Sequence, residues 1–500
     1  MATMTIVDGF KDINNPCDLK NLPDLKNPKN SRNINNSGNP KSIKSSKSSK
    51  SLRERIGSCE FRPEVYSYPP PRMYTPIMAP SMDAKGFSLR DVEFTNPLNV
   101  YVHIPFCRQI CSFCGYFKTI DQGDQAGSHA REAYVDAVEK EIGLYAHVLR
   151  ERAISTLHVG GGTPSLLTPL QLERIIEAFR KANPNLLSTA EEISIEATPE
   201  SVELAKFSAF AQAGINRVSI GIQSLDAQEI AASGRKNDPS TSLKAIETLR
   251  AAGIGNVVAD VMIGIDNQSV ESFGRTLRTL IGYAPDTVEL YALGLMPSTR
   301  AWRTSPELRM SEQDTYRCYA LGRELFLAAG YVQDCHNRYA LAGKGSFLQE
   351  DYVFEGMSLL GFGAGARSYA TNMHYRNTSG KDARSAIRSY QEAMSQGKLA
   401  IASAVMLDQD ERMRKYAIGH IESLDKTEFK SRFKTSFSDA FPALYQELLA
   451  RDLGLAQESA ERIELTAKGL DFRDLIAWEL FSPTVWEAEE KYRSTAEMRR

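Results

Sequence analysis

Cys107, Cys111 and Cys114 stand at CxxxCxxC spacing in the run YVHIPFCRQICSFCGYF. Three thiolates that close together in one loop can ligate three corners of a single metal cluster. A structural zinc site closes its tetrahedron with a fourth ligand, and a [4Fe-4S] cluster normally takes four cysteines. His103 lies on the segment before the loop, while Cys59 and Cys318 have no motif around them. The spacing therefore leaves one metal position open for something other than a cysteine.

Short β-branched runs must position this loop. LNVYVHI, TLHVG, EISIEA, RVSIGI, VVADVMIG and TVELYAL recur between longer segments with helical apolar spacing, such as AREAYVDAVEKEIGLYAHVLRER and TPLQLERIIEAFRKA. Thr168 or Ser165 can cap the second of these helices. Strand–helix–strand repetition implies a parallel sheet built by right-handed crossovers. The polar and aromatic residues then choose between a doubly wound sheet and a curved one. Cys107 follows the first strand, Gly160 to Thr163 end the second, Glu196 ends the third, Gln223 follows the fourth, Asp260 lies in the fifth and Tyr291 in the sixth. Nearly all sit at C-terminal strand ends, where barrel active sites are built. The expected fold is α/β, an incomplete (β/α)6 TIM-like barrel, with a C-terminal, mostly helical, winged-helix-like domain.

The expected organisation is a disordered tail over 1–60, rich in Asn, Lys, Ser and Pro; an extended strap over 61–97; the barrel core over 98–300; a barrel extension with substrate-side elements over 301–405; and the helical domain over 406–500. The strap contains YSYPPPRMYTP, whose prolines predict extended chain without sheet or helix, and whose tyrosines suit a cover over the neighbouring site. RIELTAKGLDFRDLIAWELF reads as a β-wing followed by a helix, but its mixed charge does not favour DNA contact.

The totals are those of an ordinary globular protein. The chain has 500 residues, 42% of them hydrophobic, and a formal net charge of −2, which offers no field to gather nucleic acid or an anionic membrane. Seven cysteines are too few and too unevenly spaced for a secreted disulfide scaffold. The first residues have no apolar signal core, and no later run is long enough to span a bilayer. A cytoplasmic, monomeric protein is the expectation.

HIPFCxxxCxFCxY, followed by GGGTP, E-x-T-P and R-x-S-x-G-x-Q-S on the next three strands, resembles the radical S-adenosylmethionine (SAM) enzymes, specifically the family of oxygen-independent coproporphyrinogen III oxidase. The resemblance runs from about Tyr66 to Ser482. It implies a [4Fe-4S] cluster on Cys107, Cys111 and Cys114, whose open iron is chelated by SAM. It also implies a one-electron donor of flavodoxin or ferredoxin type, and reductive cleavage of SAM to a 5′-deoxyadenosyl radical that abstracts hydrogen from a small-molecule substrate. Tyr101, Gly161 and Glu196 match positions that hold the cluster-bound SAM. Phe113, Gly162, Thr163, Gln223, Arg235, Asp260 and Ala292 match positions that contact a second SAM.

Two features depart from the oxidase pattern. Tyr116 occupies the position of a further cysteine, and VQDCHNRYA replaces GMDHFA, setting His336 and Tyr339 on a strand expected to face the mouth. These departures point toward the methylases and cyclopropanases of the superfamily, in which the second SAM donates one carbon to an unsaturated substrate. Their chemistry needs a proton-moving residue, for which His336, Tyr339, Tyr291 and Tyr116 are the candidates. Porphyrinogen decarboxylation or haem processing is the alternative within the same scaffold. A haem chaperone is the other alternative, disfavoured by the long segment before the first strand.

Overall fold

The computed structural model describes residues 50–76, 89–123, 125–294, 296–297, 299–303, 309–344, 347–378 and 382–497. Six strands follow the expected runs: β1 (Leu98–Ile104), β2 (Ile154–Gly161), β3 (Glu192–Ala197), β4 (Arg217–Gln223), β5 (Asn256–Ile263) and β6 (Thr287–Ala292). They pair in chain order, every pair parallel. Their near-continuous burial is that of strands covered on both faces. The intervening helices are punctuated as the sequence suggests. Thr168, not Ser165, caps Pro169–Ala182 in a reciprocal capping box with Gln171, and Ser269 caps Val270–Tyr283 in the same way with Ser272. The long segment after the cysteine loop breaks at Tyr145 into Gln125–Leu144 and Ala146–Arg150.

The sheet does not end at β1 and β6. On the β6 side, β7 (Tyr331–Cys335) and β8 (Arg338–Leu341) form an antiparallel hairpin. On the β1 side, β9 (Leu359–Phe362) adds a seventh parallel strand, followed by antiparallel β10 (Arg367–Tyr369), β11 (Met373–Asn377) and β12 (Ile401–Met406). The six-stranded core is thus an open barrel whose rims are both extended by residues after 301.

The C-terminal unit pairs β13 (Ser423–Asp425), β14 (Ala456–Glu458) and β15 (Arg462–Leu465) in the order β13–β15–β14, with helices before and after this small sheet. This is the expected wing and helix. No helix among the described residues is long and apolar enough to cross a membrane.

Two expectations about the N-terminal segment need correction. Residues 1–49 of the expected tail lie outside the described residues, but Leu52–Gly57 within it is a helix, capped by a Ser51–Glu54 box. Leu52 and Ile56 are fully buried, each worth roughly 1.5–3 kcal/mol. That burial stabilises a segment whose composition alone predicts disorder. The strap is also not purely extended: Pro71–Met73 makes a 3-10 turn, and Thr75–Pro76 pairs with β12. It is tied to the C-terminal unit by Val65 N–H to Asp474 (3.1 Å), Trp478 Nε1–H to the Pro63 carbonyl (3.1 Å) and Ser482 N–H to Tyr68 Oη (3.0 Å).

Candidate active site

The cysteine loop leaves β1 and is held at its base by a short parallel pairing of Phe106–Cys107 with Thr119–Ile120. Its far side is fixed by Ser112, whose N–H donates to the Ser233 carbonyl (2.8 Å) and whose carbonyl accepts from Ala301 N–H (2.8 Å). Lys118 Nζ donates to the Cys114 carbonyl at 2.6 Å. His103 is not a free ligand. Its ring bridges Tyr101 Oη (2.8 Å) and the Phe117 carbonyl (2.8 Å), and burial pushes its pKa down to about 4. Neutral and doubly bonded, it pins the end of the loop.

Cys107, Cys111 and Cys114 face one cavity of about 370 Å³ at the mouth of the barrel. The glycine run after β2 is what lets the backbone come close. A side chain at Gly162 would lie 2.9 Å from Cys107 Sγ and 2.7 Å from the Phe106 carbonyl. The Gly161 N–H donates to Glu196 Oε2 at 3.0 Å, and His158 Nε2 lies 3.2 Å from Oε1 of the same carboxylate. Burial works against the charge of Glu196, but the His158 contact and the Gly161 N–H together hold it below the usual carboxylate range. It is ready to meet a cation.

A second group of side chains lies along β4 to β6. Gln223 has a positive φ of 69° at a register shift in the β4–β5 pairing, which turns its side chain back over Gly221. A Cβ at Gly221 would lie 2.8 Å from Gln223 Nε2 and 3.0 Å from an Arg235 terminal nitrogen, so only glycine lets the two converge. Arg235 also donates to the Gly221 carbonyl. Ser219 Oγ donates to Asp260 Oδ2 at 2.6 Å, leaving Oδ1 buried and without a partner. Burial and the adjacent Glu289 carboxylate push Asp260 well above the usual carboxylate range. Tyr291 Oη donates to Glu289, which also accepts from Arg217 at 2.7 Å.

This chain carries a family signature over the same elements: residues 101–280 match the model of the radical SAM superfamily. The chain carries a radical SAM domain. It is similar to the oxygen-independent coproporphyrinogen III oxidase of Pseudomonas aeruginosa, at 29% identity over 75% of this chain and 83% of that protein. It is also similar to the heme chaperone HemW of Escherichia coli, at 29% identity over 55% of this chain and 71% of that protein. Among solved structures, coproporphyrinogen III oxidase (HemN) from Escherichia coli superposes with a TM-score of 0.67 at 26% identity, covering 77% of this chain and 90% of that one. The radical SAM domain and its flanking strands therefore form a HemN-like fold, and the protein is a radical SAM enzyme whose cofactors are a [4Fe-4S] cluster and SAM.

The residues present fit those groups. No set of three His, Cys, Asp or Glu side chains among the described residues converges as the ligands of one ion would. A four-iron cube does not require that, because each thiolate binds a different iron. The unpartnered Asp260 Oδ1 and the Glu196 carboxylate supply acceptors for hydroxyl and ammonium donors such as SAM presents. Of the cofactor-binding residues expected from sequence, Phe113, Gly161, Gly162, Thr163, Glu196, Gln223, Arg235, Asp260 and Ala292 line the cavity. Tyr101 stands just behind its wall, its ring stacked on His158 at 5.8 Å.

The four proton-moving candidates divide. Tyr291 and Tyr116 line the cavity, with Tyr116 64% exposed at its mouth. His336 and Tyr339 do not reach it. His336 occupies the β7–β8 turn rather than a strand facing the mouth, and its Nδ1 lies 2.9 Å from Glu422 of the C-terminal unit. Tyr339 alternates to the opposite face from Arg338 and stacks on Phe326 at 5.0 Å.

Residues missed from sequence include Glu64 and Tyr66 of the strap, Arg217, Glu289 and Arg367, all on the cavity wall. Period-two alternation was a usable signal for two of them. Arg217 shares a face with Ser219, and Glu289 with Tyr291. Glu64 is the most informative omission. Burial, with the Asp474 and Glu350 carboxylates, pushes it up to about 8 against the His336 and Arg473 charges, which favours its protonated form.

Proposed function

We propose that this protein is an oxidoreductase of the coproporphyrinogen III oxidase type, binding two SAM molecules and acting on a small molecule held at the barrel mouth. The carrying observation is one cavity that joins the cysteine loop, the Glu196 carboxylate and the separate Gln223–Arg235–Asp260 group. Tyr101, Gly161 and Glu196 would hold the SAM at the cluster; Phe113, Gly162, Thr163, Gln223, Arg235, Asp260 and Ala292 would hold the second. When bound, the cluster and SAM supply a carbon radical able to remove hydrogen from an unactivated position. The protein's own residues orient the substrate and exclude water. Tyr291 passes or holds a proton at its hydroxyl against Glu289, and protonated Glu64 serves as an acid on the strap side. Tyr116 at the mouth is a gate to the same space. The electron comes from a flavodoxin- or ferredoxin-type donor, and the enzyme works as a monomer.

C-methylation or cyclopropanation has one specific observation in its favour, Tyr116 in place of the oxidase's further cysteine. The curated relatives named above carry oxidase and heme-chaperone names instead, which is why oxidation is preferred.

Product analysis decides. Reconstituted protein with SAM, reductant and coproporphyrinogen III is expected to release 5′-deoxyadenosine and carbon dioxide. S-adenosylhomocysteine in stoichiometric amount would turn the reading to methylation. Replacing Cys107, Cys111 or Cys114 by Ser should abolish the visible iron–sulfur absorbance and all SAM cleavage; retained cleavage in any one of them sinks the proposal.

A further inference from the structure

A pair of arginines, of which Arg367 lines the cavity wall and Arg376 stands behind it, has no use in the chemistry above. Arg367 lines the wall beside the strap. Arg376 stands directly opposite it in the β10–β11 ladder. Residues paired in this way share one face of a sheet, and like charges so placed repel. Other arginines of the core are neutralised: Arg217 by Glu289, Arg338 by Asp334, Glu350 and Asp351, and Arg473 by Asp474. Neither Arg367 nor Arg376 forms an ion pair among the described residues.

The surroundings add further hydrogen-bond donors. Tyr74 is only 8% exposed, and its hydroxyl has no hydrogen-bond partner. The groups that act on it electrostatically are Tyr369, Arg367, Tyr66 and Arg376. Arg376 Nε is likewise buried and unpartnered. Tyr66 covers Arg367 with its ring at 5.6 Å. Tyr369, the neighbour of this pair, is approached at 6.0 Å by another cation, Lys415. Burial and the neighbouring Arg367 charge hold Arg376 below the ordinary arginine range, while Arg367 itself is held above it, against burial, by Tyr369, Tyr66 and Tyr74.

A guanidinium presents paired N–H donors that match a carboxylate. We propose that Arg367, Arg376 and Tyr74 form a carboxylate subsite that receives one acidic arm of the substrate, with Tyr66 of the strap closing over it. The proposal rests on reading this cavity as the substrate chamber of an oxidase-type enzyme. It sets one carboxylate of that substrate on the strap side, away from the β4–β6 group. It also explains why two positive charges are kept together without a counter-ion: the ligand supplies it, and the free protein is less stable than it need be.

Binding is tested on the full chain with coproporphyrin III as the carboxylate probe and its tetramethyl ester as the uncharged control. The wild type should prefer the acid, and R367Q and R376Q should each weaken acid binding by about tenfold or more while leaving the ester unchanged. Thermal unfolding supplies the second readout. R376Q removes the repulsion and should raise the melting temperature, whereas a merely structural arginine would lower it. The proposal is overturned if the wild type binds acid and ester equally or binds neither, if the variants bind the acid as the wild type does, or if R376Q lowers the melting temperature. Inorganic phosphate displacing the acid at equal concentration would likewise overturn a carboxylate site. Turnover is scored separately: arginine-dependent binding without deoxyadenosine formation overturns the oxidase reading and keeps the subsite, while equal deoxyadenosine yield from acid and ester does the reverse.

Discussion

The two antiparallel flanks of the sheet each carry an arginine inward, and they handle the charge in opposite ways. On the β7–β8 side, Arg338 is 3% exposed and meets Asp334, Glu350 and Asp351 at 2.9, 3.2 and 2.6 Å. Behind it, His336, Glu422, Arg473 and Asp474 continue a seam of alternating charge into the C-terminal unit. On the β10–β11 side, Arg367 and Arg376 face each other, and neither forms an ion pair among the described residues. A paired buried charge is one that cannot be removed without leaving its partners exposed to low dielectric. An unpaired one is available. The first flank fixes how the C-terminal unit sits on the barrel, and the second leaves binding capacity in the cavity.

The sharpest way to break this contrast is to neutralise Arg338. R338Q strands three carboxylates and should cost about 3–5 kcal/mol in urea unfolding, against a gain for R376Q on the other flank. Equal effects of the two substitutions would erase the distinction. A smaller effect is expected from pH. Burial disfavours the imidazolium of His336, yet its contacts with Cys335 and Glu422 and the Asp474 charge raise its pKa well above 6.5. Its contribution to stability is therefore complete below 6.5 and is lost as pH rises through the raised folded value. Glu422, held below 4.5 against the effect of burial by the His336 contact, acts in the other direction and loses its contribution as pH falls through its lowered value. Unfolding free energy should decline on the alkaline side of neutrality, and H336Q should remove that decline without changing SAM cleavage. A wild-type profile that is flat from neutral to alkaline pH would count against the seam. The smallest effect belongs to Tyr339, whose ring packs on Phe326 away from the cavity. Y339F should shift stability by less than about 1 kcal/mol and leave cleavage intact; loss of cleavage would return Tyr339 to the active site.

The parallel core was legible in the sequence because β-branched strands and capped helices repeat a local pattern, and the C-terminal strand ends collect the polar residues. The cysteine loop was legible for a similar reason, since its residues are contiguous. What escaped was assembled over long sequence distances. Nothing local marks Leu359–Phe362 as a neighbour of β1, and the Ser51–Glu54 capping box, the one local sign of the Leu52–Gly57 helix, is outweighed by the polar composition before it; Glu447 and Glu479 cover that helix from far along the chain. His336 was misplaced because HNRY reads as strand, while the hairpin turns there and the imidazole finds Glu422, 86 residues away. Arg367 and Glu64 reach the cavity from opposite ends of the chain.

The docking of the strap also sets an order of events during synthesis. Residues 61–76 leave the ribosome ahead of the cysteine loop, yet they are anchored by Glu411, Asp474, Trp478 and Ser482, with partners separated by up to 415 residues. The wall that Glu64 and Tyr66 contribute is thus the last part of the cavity to be completed. Until those late residues are made, Cys107, Cys111 and Cys114 lack the strap side of their enclosure.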